Sequence, residues 1–164
     1  MKILLLSDTH SHIDERILHY AKTADEVWHA GDIGDLKVTG ALQEVSKLRA
    51  VFGNIDNAII RSCFPEEERF ICEGVSVWMT HIGGYPPKYN KRILPKIEMD
   101  PPELFICGHS HILKVMPDKK NNLLHMNPGA CGKHGIHKVR TLLRFEIFNS
   151  KISNLEVIEL EKRS

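Results

Sequence analysis

At 164 residues the chain is long enough for one domain with a substantial hydrophobic core, and we place that domain at residues 1–164. Lysine and arginine nearly balance aspartate and glutamate. The resulting net charge of +1 lacks the basic excess of nucleic-acid-binding proteins, so no nucleic-acid partner is expected. No apolar stretch approaches the roughly 20 residues that span a membrane, so no membrane partner is expected either.

The first residues and the cysteines indicate the compartment. The chain enters a strand-like pattern at once, without the basic start and apolar segment of a secretory signal. Its four cysteines form no Cys-x-x-Cys pair and show no disulfide framework. We therefore expect a cytoplasmic protein with reduced thiols.

The first third of the chain alternates apolar runs with helical patterns. The runs at 2–7, 27–30 and 49–52 are typical of buried strands. Residues 15–23, capped by Asp14, and residues 36–48 have helical periodicity. This βαβαβ order predicts a parallel sheet.

The remainder of the chain has the pattern of hairpins. Strands are predicted at 69–72, 75–80, 104–107, 115–117, 123–126, 141–148 and 154–160. Glu73-Gly74 and Asn149-Ser150 are the predicted turns of two hairpins. Residues 85–103 contain five prolines and predict a loop with at most a short helix around 88–96. The predicted fold class is α/β, with two packed sheets and helices outside.

A short polar motif follows each of five apolar runs. The motifs are Asp8-Thr9-His10, Gly31-Asp32, Gly53-Asn54-Ile55-Asp56, His81 and Gly108-His109-Ser110-His111. Each motif alone is weak, but the carboxyl ends of strands meet at one rim of a sheet, where ligands bind. The set therefore predicts one converging site.

Seven side chains at this rim are candidate metal ligands: Asp8, His10, Asp32, Asn54, His81, His109 and His111. Oxygen and imidazole together suit Mn²⁺, Fe or Zn²⁺ better than Ca²⁺ or a thiolate site. Seven ligands are enough for two ions about 3.5–4 Å apart if one carboxylate bridges them. Such a centre activates water and stabilises phosphoryl transfer.

The order of these motifs resembles that of the calcineurin-like metallophosphoesterases. The short length and Asn127-Pro128-Gly129 resemble their compact bacterial and archaeal phosphodiesterase branch. The resemblance implies a four-layer αββα sandwich of two mixed sheets with flanking helices. It also implies hydrolysis of a small phosphoester, more readily a diester, by a metal-bridging hydroxide. Manganese is favoured, with iron, zinc or nickel as alternatives.

The resemblance also implies how the ligands divide between the ions. Asp8, His10, Asp32 and His111 would hold one ion, and Asp32, Asn54, His81 and His109 the other. Asp32 would therefore bridge the two ions. Asp32, Asn54 and Asp56 are the predicted catalytic residues.

One position departs from the family pattern. Ile55 stands where the common motif has a histidine that protonates the leaving group, and isoleucine has no proton to donate. His12 is a candidate substitute, although a solvated loop position is the commoner role. His134 and His137, with Lys133, Lys138 and Arg140, form a basic stretch that would clamp a phosphate or be a solvated face.

Several other side chains have simpler interpretations. His29 and His125 lie in strand patterns, and His29 is expected in the core or behind a ligand. Tyr85 and Tyr89 lie just past His81, where a surface loop is favoured over stacking on a substrate ring.

Two other functions compete with hydrolysis. One is a protein-interaction scaffold, because a retromer subunit shares the small size and Asn127-Pro128-Gly129, although intact Asp32 and Asn54 argue against it. The other is a DNA-repair-type nuclease, which needs further domains and a basic surface. Homo-oligomer formation is left open.

Overall fold

The computed structural model describes residues 1–162. Its helices are α1 (Glu15–Ala21), α2 (Leu36–Gln43), α3 (Ala58–Cys63) and α4 (Leu94–Met99). Its strands are β1 (Lys2–Leu6), β2 (Glu26–His29), β3 (Lys47–Ala50), β4 (Glu67–Cys72), β5 (Val75–Thr80), β6 (Gly84–Tyr85), β7 (Lys88–Tyr89), β8 (Leu104–Ile106), β9 (Leu113–Asp118), β10 (Leu123–Pro128), β11 (Val139–Phe148) and β12 (Lys151–Lys162). None of these helices is long and apolar enough to cross a membrane.

Two five-stranded mixed sheets form the body of the protein. The first has the order β12-β11-β1-β2-β3, with β1, β2 and β3 parallel and β11 antiparallel to β1. The second has the order β4-β5-β8-β10-β9, in which β5, β8 and β10 are parallel. This confirms the predicted α/β class with two packed sheets. The predicted hairpins are present as β4–β5, β9–β10 and β11–β12, but the parallel pairing of β5, β8 and β10 was not predicted.

Strand β1 shows how the layers are built. Alternate residues of a strand face opposite sides of its sheet. Ile3 and Leu5 pack in the core between the two sheets, whereas Leu4 and Leu6 pack with buried residues of α1, α2 and α3. A third apolar cluster packs α4 against Trp78 and Phe105 on the outer face of the second sheet. The result is the expected four-layer arrangement.

The predicted boundaries were wrong in one helix. The pattern predicted a helix over 36–48, but α2 ends at Gln43 and Lys47–Ala50 pairs in parallel with β2. Val45 and Leu48 still contact the same apolar cluster as α2. The spacing of these apolar residues therefore predicts which side chains face the core, but it does not predict that the backbone is helical.

Four further elements differ from the prediction. Helix α3 was missed, although Asn57 caps it by accepting from the N–H groups of Ile59 and Ile60. The two-residue strands β6 and β7 were also missed. The predicted helix around 88–96 lies later in the chain, at Leu94–Met99.

Candidate metal centre

The candidate ligands lie where strands of both sheets end. Asp8 and His10 follow β1, Asp32 follows β2, Asn54 follows β3, His81 follows β5, and His109 and His111 follow β8. Both sheets present these ends on the same side, so residues distant in sequence come together. Six of the seven form two groups of potential ligand atoms, and within each group the atoms lie within 4.8 Å of one another.

We call Asp8, His10 and His111 the first cluster, and Asp32, His81 and His109 the second cluster. The clusters adjoin. Oδ2 of Asp32 lies 3.5 Å from Nε2 of His10, and its Oδ1 lies 3.2 Å from Nε2 of His81. Asp32 therefore faces both clusters. Within the first cluster, Oδ1 of Asp8 lies 3.2 Å from Nε2 of His111.

Three atoms of this site are buried without a hydrogen-bond partner among the described residues. They are Oδ1 of Asp8, Nε2 of His10 and Nε2 of His81. Buried polar atoms in native proteins almost always have a partner, and an unpaired one is costly. Carboxylate oxygen and imidazole nitrogen are the donor types that divalent transition metals bind. The residues present therefore fit metal ions.

Backbone groups fix the orientation of the ligands. Nδ1 of His81 donates to the carbonyl oxygen of Ala30 at 2.7 Å, which leaves the Nε2 lone pair facing the cluster. The N–H of His109 donates to Oδ2 of Asp8 at 3.1 Å, and the N–H of Ile55 donates to Oδ1 of Asp32 at 3.1 Å. Two candidate ligands are thus tied to loops from other strands.

The backbone of the ligands is itself unusual. Five candidate ligands, all non-glycine, have positive φ between 45° and 69°: Asp8, His10, Asp32, His109 and His111. Each such residue costs about 1–3 kcal/mol, and such conformations gather at functional sites. Gly53 and Gly108 precede ligands where a Cβ would overlap a side chain, that of Asp32 or of Ser7 respectively. The glycines of these two motifs therefore permit close packing of the site.

The charges of the site suit cation binding. Burial lowers the pKa of His10 and of His109, so both imidazoles are neutral and free to act as ligands at neutral pH. Burial alone would raise the pKa of Asp32, but the contact with His81 holds it below its usual value. The same contact, with Asp8 nearby, outweighs burial and raises the pKa of His81. A cation at Nε2 of His81 would replace that proton.

The loop after β3 holds the seventh candidate, Asn54, which is exposed and lines one cavity with His81 of the second cluster. Next to it, Asp56 is buried and accepts from the N–H groups of Gly53 and Gly34, both at 2.7 Å, and of Ile33 at 3.1 Å. Asp56 thus joins the loop after β2 to the loop after β3. The structure gives it a positioning role, and its predicted catalytic role stays a prediction.

Sequence reasoning missed Arg61. Its guanidinium donates through Nε to the carbonyl oxygen of Asp56 at 2.7 Å and through Nη2 to that of Asn54 at 3.2 Å. It also lies over the ring of Phe52, 4.7 Å from the centroid. Arg61 therefore braces the loop that presents Asn54, and a cavity of about 270 Å³ lies between Arg61, Asn54 and His81. The capping residue Asn57 could have indicated the helix that carries Arg61. No local sequence pattern indicates which carbonyl groups Arg61 binds.

Two histidines that follow Asn127-Pro128-Gly129 in the sequence lie next to the first cluster. The ring of His134 lies 4.8 Å from that of His10, and the ring of His137 lies 5.2 Å from that of His111. Lys133 and Lys138 of the same stretch are exposed to solvent. A phosphate clamp from this stretch stays a prediction.

Two other members of the predicted set have structural partners. Arg140 is fully buried and pairs with Asp14 and Glu161 at 2.8 and 2.7 Å. His12 contacts the same Asp14 at 2.8 Å. Arg140 thus ties β11 to the start of α1 and to β12, and its guanidinium is engaged with these two carboxylates.

The remaining predicted residues divide between core and rim. His29 is buried behind the site, within 2.8 Å of the Thr9 hydroxyl, and burial lowers its pKa to about 4. Tyr89 is buried and donates to Asp118, whereas Tyr85 is partly exposed. His125 is also buried, on the outer face of the second sheet.

Comparison with known proteins identifies relatives of this chain. The probable metallophosphoesterase of Methanocaldococcus jannaschii is 26% identical over 138 residues, which are 79% of this chain and 68% of that protein. The solved structure of an archaeal phosphodiesterase has a TM-score of 0.76 at 20% identity, covering 98% of this chain and 100% of that chain. Vps29 of Entamoeba histolytica, complexed with zinc, has a TM-score of 0.76 at 17% identity, with the same coverage. The two structural likenesses show the fold alone.

The family itself is shown by a sequence model. The model described as the calcineurin-like phosphoesterase superfamily domain matches residues 1–150, which include every candidate ligand. The motif order and the two mixed sheets agree with this match. The chain belongs to the calcineurin-like phosphoesterase superfamily.

Proposed function

We propose that this protein is a phosphodiesterase that uses two divalent metal ions to hydrolyse a small phosphoester. The observation that carries the proposal is the pair of adjoining clusters, whose buried ligand atoms include three that have no hydrogen-bond partner among residues 1–162. A scaffold has no need for such atoms, because leaving them unpaired destabilises the fold.

The two clusters support the division of the ligands that the family resemblance implies. The first cluster would hold one ion and the second cluster, with Asn54, the other. Asp32 would bridge them, which its two oxygens at 3.5 Å from His10 and 3.2 Å from His81 support. Such ions supply Lewis acidity toward phosphoryl oxygens and lower the pKa of water. The mixture of carboxylate and imidazole favours Mn²⁺, with Fe, Zn²⁺ or Ni²⁺ as alternatives.

The chain's own residues determine which esters react. Asp56 and Arg61 hold the loop that carries Asn54, whose side chain would contact the reacting phosphoryl group. Ile55 is 45% exposed beside the ligands and has no proton to give a leaving group. Leaving groups that depart without a proton should therefore react best. A diester also carries only one negative charge on the reacting group, so it needs less cationic help than a monoester.

Metal analysis and a hydrolysis assay test the proposal together. The purified protein is loaded with Mn²⁺, Ni²⁺, Zn²⁺ or Mg²⁺, its metal content is measured, and bis(p-nitrophenyl) phosphate is compared with p-nitrophenyl phosphate. We expect two ions per chain and faster hydrolysis of the diester. Two bound ions without hydrolysis of either ester would favour the scaffold alternative, and one ion with full activity would contradict a two-ion centre.

A further inference from the structure

One short turn carries a candidate ligand of each cluster. His109 belongs to the second cluster and His111 to the first, with Ser110 between them. The two histidines have φ of 69° and 58°. Non-glycine residues keep a positive φ only where the surrounding structure holds them in it. Both clusters therefore depend on the contacts that hold residues 108–111, which we call the ligand turn.

Packing alone does not hold the ligand turn. His109 and Ser110 are exposed to solvent, and a cavity of about 130 Å³ lies beside them. Tyr85 and His125 also line this cavity. Because there is space on this side, the backbone of the turn could shift unless hydrogen bonds prevent it. The positions of the two ligands therefore depend on the hydrogen bonds of the turn.

Two of these hydrogen bonds connect the turn to other candidate ligands. The N–H of Gly108 donates to the carbonyl oxygen of His81 at 3.0 Å. The N–H of His109 donates to Oδ2 of Asp8 at 3.1 Å. Since both acceptors belong to the clusters, these bonds link parts of the site to each other and not to the rest of the fold.

Asn127 holds the turn from outside the two clusters. It is 3% exposed and lies in β10. Its Nδ2 donates to the carbonyl oxygen of Gly108 at 2.8 Å and to Oγ of Ser110 at 3.2 Å. The carboxamide thus bridges the residues on both sides of His109. Its Oδ1 accepts from the N–H of Gly129 at 3.0 Å, which fixes the carboxamide itself.

These partners require a carboxamide of this length. A carbonyl oxygen only accepts and a backbone N–H only donates, so the amide nitrogen of Asn127 faces Gly108 and the amide oxygen faces Gly129. Aspartate has the same size but, when ionised, has no hydrogen to donate. Glutamine is one methylene longer. Asparagine therefore satisfies the donor and the acceptor at the same time.

We propose that Asn127 is a positioning residue that fixes the ligand turn and thereby the separation of the two metal ions. The turn supplies one histidine to each cluster, so a shift of its backbone moves His109 relative to His111. This inference rests on the proposed function, because it concerns the two-ion centre on which that function depends.

Hydrogen exchange in the metal-free protein tests the hold on the turn by itself. Asn127→Asp keeps the acceptor for Gly129 and removes both N–H donors. We expect the amides of residues 108–112 to exchange about tenfold faster, the factor that one ordinary hydrogen bond contributes. Thr141→Val is the matched control, because it removes a buried hydrogen bond of 2.6 Å to the carbonyl of Pro128 at a residue outside the turn. It should leave exchange in the turn unchanged.

Electron paramagnetic resonance of the Mn²⁺-loaded protein tests the separation of the ions. Two Mn²⁺ ions that share a ligand couple magnetically, and the coupling depends on their separation. At two ions per chain we expect the same coupled spectrum in the wild type and in Thr141→Val, and a weaker coupling in Asn127→Asp. With bis(p-nitrophenyl) phosphate, kcat/KM should fall about 10–100-fold in Asn127→Asp, the range for groups that support a ligand.

A second variant keeps the inference testable if Asn127→Asp does not fold. Ser110→Ala, at an exposed residue, removes one of the two acceptors of Asn127. We expect the same changes in exchange and coupling, but smaller, because the bond to Gly108 remains. A loss of stability without a positioning role would lower the melting temperature of Thr141→Val and Asn127→Asp alike and leave the coupling unchanged in both.

The outcomes separate this inference from the proposed function. Unchanged exchange in the turn of folded Asn127→Asp, or of Ser110→Ala where Asn127→Asp does not fold, would overturn the role of Asn127. Faster exchange with unchanged coupling would overturn its effect on the separation of the ions. An uncoupled spectrum in the wild type at saturating Mn²⁺ would instead contradict the two-ion centre, while faster exchange in Asn127→Asp would still support its hold on the turn.

Discussion

The two clusters of the metal centre differ in their surroundings. The first cluster is surrounded by further imidazoles, with His134 against His10 and His137 against His111. The second cluster lies between two cavities, one beside Asn54 and the other beside His109. The imidazoles around the first cluster leave little room beside its ligands. The cavities beside the second cluster leave room for a substrate next to its ligands. We therefore expect a substrate to contact the protein on the side of the second cluster.

Removing metal should affect both clusters and produce the largest change. An ion that binds only the folded state adds about 2.7 kcal/mol at a hundredfold excess over its dissociation constant, so two independent sites add about 5 kcal/mol. For a chain of this length the melting temperature should fall by roughly 10–20 °C on chelation. Calorimetry of the stripped and Mn²⁺-reloaded protein measures this. An unchanged melting curve after verified removal of metal would contradict it.

Changing the residue that faces both clusters should have the next largest effect. Asp32→Asn removes a charge lying within 3.5 Å of an imidazole from each cluster. We expect kcat/KM to fall by more than about 100-fold, beyond the range for residues that merely support a ligand. Metal content should drop below two ions per chain. Asp100→Asn, the same change at an exposed residue, is the matched control.

A change confined to the loop that carries Asn54 should spare the first cluster. Arg61→Met removes the hydrogen bonds that brace the Asn54 loop, so we expect about a 10–100-fold loss in kcat, the range for groups that support a ligand. At least one ion should remain bound. Arg69→Met, at an arginine paired with Asp100 on the surface, should be nearly neutral. Loss of both ions in Arg61→Met would show that the two clusters are not separable.

Arg61 also marks the limit of what the sequence predicts. The position of each strand-end motif can be predicted from the sequence nearby. An apolar run followed by a ligand residue indicates the end of a buried strand at the rim of a sheet. The α/β class and both hairpin turns followed from the same kind of pattern, and Glu73 and Gly74 indeed have positive φ. The carbonyl groups that Arg61 binds become available only once α3 packs beside the loop.

The cavity beside His109 escaped prediction for a related reason. His125 has the pattern of a core strand residue, and it is buried as that pattern predicts. Its ring nitrogens have no hydrogen-bond partner within residues 1–162, and no pattern in the sequence indicates this. Periodicity predicts which residues are buried, but it does not indicate which buried polar groups are satisfied.

The smallest expected effect is a gain at the second cluster. Ile55→His introduces a proton donor beside Asn54, and the present side chain is 45% exposed, so little packing is lost. A positioned general acid contributes about 10²–10⁴-fold where leaving-group protonation limits the rate. Both oxygens of Asp56 already accept backbone N–H groups, so Asp56 is not free to orient the new imidazole. We therefore expect a gain of only about tenfold, below that range.

The gain should depend on the leaving group, and this dependence distinguishes a general acid from other effects of Ile55→His. Nitrophenolate departs without a proton, so aryl diesters should gain little, whereas alkyl diesters should show the full increase. A series of diesters with leaving groups of rising pKa, measured in the wild type and in Ile55→His with equal metal content, gives the slope for each protein. A shallower slope in Ile55→His supports a missing acid at this position. Equal slopes would mean that another group already protonates the leaving oxygen. His134 lies against His10 and would be tested next, because His12 is engaged with Asp14.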